Sequence, residues 1–537
     1  MTLTAHYETF LSLLAVLAAV ALLARRLSIA PSILLVLAGI ALALIPGIPP
    51  IVLAPEFVLL IVLPPLIYSA AVAMSWRDFR LSLRPIVALA FGCVVFTTCA
   101  VAAAAHYLLE LPWNIGFVLG AIVAPPDVVA PLALARRLGL PRRLLVVLEG
   151  EGLANDATAL ILYRFAVIAV TTGTFSLPDA AMSFAAITVG EIAYGVGIGF
   201  FSLRLRQWAR DPRVEITLSL MTPYLAYWAP HYLGGSGVLA TVAAGLYVSW
   251  NGPLLIPSAT RLQGIFFWDL LVYLIEGFVF LITGLQARTL FQQIGYTPLR
   301  DILFGIAVTT AICVIARFVW IFPLTYLPRF LIPAARRRGR TPHWRLPFMV
   351  AFVGVRGVVS LAAALALPLT VASGAPFPYR DTIHAIAFGV IVVTLVGQGL
   401  MMPAVARWLG LPNQAMRERQ EEQEAELRAR HQAFAVAEHR LQALAAEQQL
   451  QDAVVKHLTA RNHQRTLPVP KTLADGFETA ATSARYRLDL IRAEREYLHQ
   501  LLRDGEITDE SRRRIERELD LEEASIFCNQ EAIDPPL

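Results

Sequence analysis

Long apolar runs, separated by short polar segments, fill the first three quarters of the chain. Thirteen can be marked, at residues 8–24, 31–47, 56–75, 85–105, 113–134, 149–170, 183–203, 214–230, 234–250, 265–286, 299–325, 346–369 and 383–408. Each is close to the roughly 20 residues an α-helix needs to cross the hydrocarbon of a bilayer, and too long for a barrel strand. The pattern predicts an all-α membrane protein with thirteen transmembrane helices. The runs at 214–230 and 234–250 are short and separated only by HYLG. Past residue 410 the pattern changes. Residues 415–458 are rich in Ala, Glu, Gln, Leu and Arg and free of Gly and Pro, which predicts one long helix. TLPVPKTLADG breaks it, and 476–525 reads as further helices. The expected division is a membrane domain over 1–410 and a soluble helical tail over 411–537.

Composition fits that division. The chain is 57% hydrophobic and 16% charged, against about 25% charged in globular proteins. Residues 1–410 hold 27 Lys/Arg and 16 Asp/Glu, whereas 411–537 hold 18 and 24. The basic surplus lies between the apolar runs, where membrane topology explains it, so it is no nucleic-acid signal. With the N-terminus outside, the loops assigned to the cytoplasm carry 20 arginines and the opposite loops three, Arg288, Arg300 and Arg380. This asymmetry satisfies the positive-inside rule and puts the tail in the cytoplasm. The first run has no basic n-region and no cleavage site, so it is expected to stay as a spanning helix. Cys93, Cys99, Cys313 and Cys528 lack metal-ligand spacing. His431, His439, His457 and His463 are likewise not spaced as a metal site.

Ionisable residues inside spans are costly and point to function. Asp127 lies mid-span in GFVLGAIVAPPDVVAPLALA, bracketed by Pro125, Pro126 and Pro131. Consecutive prolines remove two backbone donors, so the helix should break there and leave carbonyls free beside the aspartate. Asp127 is then a cation ligand, a cap on the second half-helix, or both. The next span opens EGEGLANDATALILYRF, with Glu149 near the interface and Glu151, Asn155 and Asp156 deeper. Asp127 and Asp156 can face one another from neighbouring spans. Two close carboxylates in a poorly hydrated niche repel, so they prefer to share one proton or one cation. Asn155 is expected to stitch its helix to the broken backbone.

The twelfth run, PFMVAFVGVRGVVSLAAALAL, places Arg356 between Gly354 and Gly357, again as in an interrupted helix. Two interrupted spans in matching positions are the mark of inverted repeats. Glu151 needs a basic partner, and Arg317 is favoured over Arg356; the other arginine would neutralise half-helix carbonyl ends. Glu276 reads either as a cavity wall that attracts cations or as a structural contact. Glu191, amid Gly190, Gly195, Gly197 and Gly199, is weighted towards structure, and Arg164 towards tying its helix to an acid or a carbonyl.

APPDVVAPLALARRLGLPRRL, LEGEGLANDATALILYRFAV, VGVRGVVSLAAALALP and VVTLVGQGL together resemble the cation:proton antiporter-1 family, over roughly residues 10–408. That family includes the bacterial NhaP-type sodium/proton antiporters and the sodium/hydrogen exchangers. The resemblance implies a homodimer of thirteen-span protomers in a bacterial inner membrane. It implies a core domain (spans 85–170 and 299–408) that moves against a scaffold (8–75 and 183–286). It also implies electroneutral exchange of Na+ for H+, without a cofactor. Asp156 then matches the essential carboxylate, Asp127 the acid beside the broken helix, and Asn155–Asp156 the pair tied to electroneutral exchange. Glu151 matches the acid that pairs with a core arginine. Pro126 and Gly152 depart from it, since relatives often carry Thr and Ser there, which leaves K+ as an alternative substrate. A cation channel would need a continuous pore, and none of the motifs of a membrane enzyme is present. The tail is expected to aid dimer assembly or to respond to an unidentified ligand.

Overall fold

The computed structural model describes residues 3–27, 29–46, 54–173, 176–293, 298–331 and 343–448, with short helical pieces between 456 and 526. The chain divides into two compact units, Met1–Leu411 and Pro412–Leu537. Among the described residues of the first, the regular structure is helical apart from one isolated bridge, Thr370 with Pro376.

Apart from the six-residue helix Trp76–Leu81, its helices in chain order are α1 (Leu3–Leu27), α2 (Pro31–Ala43), α3 (Pro55–Ala73), α4 (Leu83–Leu108), α5 (Trp113–Val123), α6 (Val129–Arg137) and α7 (Arg142–Thr172). Then come α8 (Leu177–Ala209), α9 (Pro212–Tyr232), α10 (Val238–Leu255), α11 (Ser258–Gln293) and α12 (Leu299–Leu331). The unit closes with α13 (Arg345–Phe352), α14 (Val358–Leu365) and α15 (Arg380–Trp408). Single π-helical stretches interrupt α3 at Val58–Val62, α4 at Ala88–Cys93 and α15 at Val393–Gln398.

Among the described residues, nine helices are long and apolar enough to cross a membrane, not thirteen. The other four apolar runs took other forms. The run at 31–47 yields a helix of only 13 residues, α2. The run at 214–230 lies in α9, whose 21 residues include Arg213, Glu215, Pro223 and Pro230 and are too polar to qualify. The runs at 113–134 and 346–369 each split into two short helices, α5/α6 and α13/α14. The Arg336, Arg337, Arg338 and Arg340 cluster lies outside the described residues.

Helix contacts rest on small residues, as expected where lipid offers no hydrophobic drive. At the α2–α11 crossing, Gly39 and Gly284 face each other, and a Cβ on Gly39 would lie 2.8 Å from the Cα of Gly284. A methyl at either position would force the backbones apart.

In the second unit the helix Leu411–Gln448 runs for 38 residues. Further along, Ile491, Leu498, Leu519 and Ile526 form a small apolar cluster, flanked by an Arg487–Glu522 ion pair of 2.7 Å.

Candidate ion-binding site at the crossing of two broken helices

Pro125 and Pro126 have no N–H to give to Ala121 and Ile122, so α5 ends at Val123 and α6 starts only at Val129. The stretch between α13 and α14, Val353–Gly357, is likewise non-helical. The two gaps meet. The Asp127 N–H, which an unbroken helix would direct to Val123, donates instead to the Val355 carbonyl at 2.7 Å.

Four helix ends therefore converge, two carrying free carbonyls and two carrying free N–H groups. Arg356, fully buried, serves the carbonyl ends: its Nε donates to Val123 O at 2.8 Å and its Nη1 to Gly354 O. Its own N–H donates to Thr394 Oγ1 at 3.0 Å, on the π-helical stretch of α15. Asp127 serves the N–H ends, accepting from Val129 N at 2.9 Å and from Val358 N. Gly357 is needed there, because a Cβ would fall on the Asp127 carboxylate.

Glu151 and Arg317 lie behind this crossing, both at most 2% exposed at the side chain. Arg317 grips the carboxylate with both terminal nitrogens, at 2.5 and 3.1 Å, and donates also to Val350 O at 2.9 Å. The partner of Glu151 is Arg317, and Arg356 takes the carbonyl ends. Asn155 Nδ2 donates to Pro126 O at 2.7 Å, fastening α7 to the broken segment, while its Oδ1 has no hydrogen-bond partner among the described residues.

A cavity of about 760 Å³ reaches this crossing. Asp127, Asp156 and Glu276 line it, as do Arg136 at the end of α6, Glu149 two turns into α7 and Arg261 in the first turn of α11. Arg136 and Glu149 are joined at 2.6 Å. Asp156 and Asp127 are close enough to repel, and Glu276 also feels Asp127. Asp127 is held by the helix ends, whereas Asp156 accepts no hydrogen bond among the described residues. The four polar residues that the sequence singles out in these two spans, Asp127, Glu151, Asn155 and Asp156, thus separate. Asp127 and Asp156 face the cavity; Asn155 and Glu151 are fully buried and do not line it.

The remaining charged residues are placed as follows. Glu276 is a cavity-wall residue. Glu191 and Arg164 bind backbone around the turn before α10. Sequence reasoning missed another part of the lining, Tyr68, Trp268, Ser219 and Arg206. Trp268 Nε1 donates to Ser219 Oγ at 2.9 Å, and its ring lies 5.4 Å from Tyr68. Arg206 is one of the 20 arginines that the hydropathy pattern places in cytoplasmic loops. Because α8 continues to Ala209, it is instead 7% exposed and near Glu215. Glu215, in the first turn of α9, is 1% exposed, but an acid in a first turn is equally common at an exposed helix start, so no signal in the sequence marked this end as buried.

A multi-pass helical fold with two broken helices crossing beside a free carboxylate defines a secondary transporter rather than an enzyme. The family model described as "Sodium/hydrogen exchanger, transmembrane" matches residues 12–408, and the chain belongs to that family. It exchanges a cation for protons. It is 34% identical over 519 residues to an uncharacterised Na+/H+ exchanger of Mycobacterium tuberculosis, covering 94% of this chain and 93% of that one. A sodium, potassium, lithium and rubidium/H+ antiporter of Bacillus pumilus is 32% identical over 381 residues, 68% of this chain and 56% of the relative. The solved sodium proton antiporter MjNhaP1 of Methanocaldococcus jannaschii superposes with a TM-score of 0.61 at 19% identity, covering 77% of this chain and all of that one.

Proposed function

We propose that the protein carries out electroneutral Na+/H+ exchange, with one cation and one proton competing for Asp156 beside Asp127. The observation that carries this reading is the contrast between the two acids on one cavity. Asp127 is committed to helix ends, and Asp156 is free to take either occupant. An empty carboxylate pair is costly to move through a dry barrier, so transit favours the occupied forms. Asn155, being neutral, adds no second charge to the carrier, in keeping with one cation for one proton.

In this reading the membrane unit crosses thirteen times, counting α2, α9 and the two broken helices as crossings. Its halves are inverted repeats, its N-terminus is outside, and the tail is cytoplasmic. The cavity then opens to the cytoplasm, since Arg136 and Arg261 stand at the arginine-rich ends. The core (85–170 and 299–408) moves against the scaffold (8–75 and 183–286), through which two copies pair in the bacterial inner membrane. The tail supports assembly or binds an unidentified ligand.

K+ is the second reading for the cation. The space for a side chain at Gly152, one turn before Asp156, is filled by Val128. A site without a hydroxyl there leans on water and carboxylate, which discriminates weakly between Na+ and K+. The Bacillus pumilus relative is named for both ions.

The test is exchange by purified protein in proteoliposomes, with Na+, K+ and Li+ compared and the membrane potential clamped. Asp156→Asn is expected to abolish proton-coupled flux. Full exchange by that variant refutes the site, and flux that ignores an opposing proton gradient favours a channel.

A further inference from the structure

The cavity reaches Asp156 from one side. Along α7 the cavity touches Glu149, Gly152, Leu153 and Asp156, and no residue beyond. The helix continues to Thr172, about four more turns. On the next turn of α7, Ala157 belongs to a buried apolar cluster with Tyr227 of α9 and Val238 and Leu239 of α10, and Leu160 packs against that cluster.

Tyr227 is 2% exposed, stacks on His231 at 5.4 Å, and lies within electrostatic reach of Asp156, Arg164 and Glu191. The turn between α9 and α10 presses on it. Gly237 has φ +73°, and a Cβ there would lie 2.9 Å from the Tyr227 ring.

Two charged residues hold this turn, from different helices and with unequal grip. Glu191 of α8 accepts from Ser236 N at 2.5 Å, Gly237 N at 2.9 Å and Leu239 N at 3.1 Å, and from the Ser236 hydroxyl. It caps α10 from within the membrane and makes α8, the turn and α10 one body. Arg164 of α7 reaches the same turn through one hydrogen bond, Nη1 to Gly235 O at 3.0 Å. α7 carries Asp156, and α8–α10 do not.

We propose that Arg164 and Gly235 form the closing contact of a gate on the side of Asp156 away from the cavity. The turn clamped by Glu191 is the fixed stop, and Arg164 is the moving half. This rests on the alternating-access reading above. If Asp156 is to face the other side, Leu160 must part from the α9–α10 cluster, and the Arg164–Gly235 bond must break in every cycle. Its strength then sets the balance between the two access states, as any contact made in only one of them does.

The test uses the full chain with Cys93, Cys99, Cys313 and Cys528 replaced by alanine and Leu160→Cys as reporter. A membrane-impermeant maleimide is applied from the face that bears residues 234–237. With Arg164 intact, labelling is expected to be slow. Arg164→Met should raise it roughly tenfold, the effect of losing one charge-assisted hydrogen bond from one state only. Arg164→Lys, which can still donate to Gly235 O, should stay near the parent. Apparent KM for the cation should rise on the cavity side and fall on the other. A merely structural role for Arg164 would move neither labelling nor the two KM values in opposite senses. Equal labelling in Arg164→Met and the parent overturns the gate. If Arg164→Met does not assemble, Arg164→Gln is measured on the same scale, and equal labelling there overturns it too. A parent that labels as expected but exchanges no cation for protons would overturn the transport reading and leave the gate contact standing.

Discussion

Asp127 and Arg356 divide the four broken helix ends between them. The carboxylate caps the N–H ends of α6 and α14, and the guanidinium caps the carbonyl ends of α5 and α13. Each charge is matched to the sign of the dipoles it meets. Neither forms an ion pair with the other among the described residues. Arg356 does its work as a fork, with two nitrogens on two chain segments. Arg356→Lys keeps the charge but supplies a single point donor. It is expected to lower stability by about 2–3 kcal/mol, because one buried carbonyl end loses its partner. Thermal stability by size-exclusion chromatography checks this, and an unchanged melting point refutes the role.

Gly357 follows from the same arrangement. A Cβ there occupies the place of the Asp127 carboxylate, which is backed by both half-helices. Gly357→Ala is expected to push Asp127 off Val358 N and to abolish exchange while leaving most of the protein assembled. Exchange at more than half the parental rate would show that the crossing tolerates the methyl.

The ion pair Glu151–Arg317 predicts a different signature. It is dry and bidentate, so removing one partner strands a buried charge at a cost of about 3–5 kcal/mol, whereas replacing both with apolar residues is often nearly neutral. Glu151→Leu alone should not assemble stably, and Glu151→Leu with Arg317→Met should recover. Because Glu151 does not line the cavity, the double variant should bind cations with near-parental KM. A KM raised tenfold in a stable double variant would return Glu151 to the ion site.

How far the sequence carried these features depends on whether their cause is local. Pro125–Pro126 and Gly354/Gly357 break helices through their own covalent chemistry, so both interruptions were legible. That Asp127 N–H would reach Val355 O, more than two hundred residues on, was not, since periodicity says nothing about which helices cross. Glu191 stood out as an acid in a glycine-rich span, but its partners lie beyond α8 in the turn before α10. Arg206 misled because arginine near a span end fits a loop as well as a helix. The count of spans was read from hydropathy alone, which does not register that a run such as 31–47 forms a helix of only 13 residues.

Selectivity offers a prediction that depends on packing rather than charge. A side chain at position 152 would enter space held by the methyls of Val128, on the segment between the broken halves. Gly152→Ser should therefore disturb Asp127 by displacing its neighbour, and exchange should fall roughly tenfold, the effect of about 1.4 kcal/mol of misplacement. Adding Val128→Ala removes the obstruction and leaves room for the hydroxyl. The double variant should regain most of the rate. A hydroxyl oxygen near Asp156 supplies a fixed ligand in place of water, which favours the smaller ion, so the ratio of Na+ to K+ exchange should rise above the parent's. Measuring both ions on the single and double variants separates the two effects. Recovery of rate without a change in the ratio would mean that the cation is held away from this face of α7. A single variant as fast as the parent would mean that Val128 yields freely.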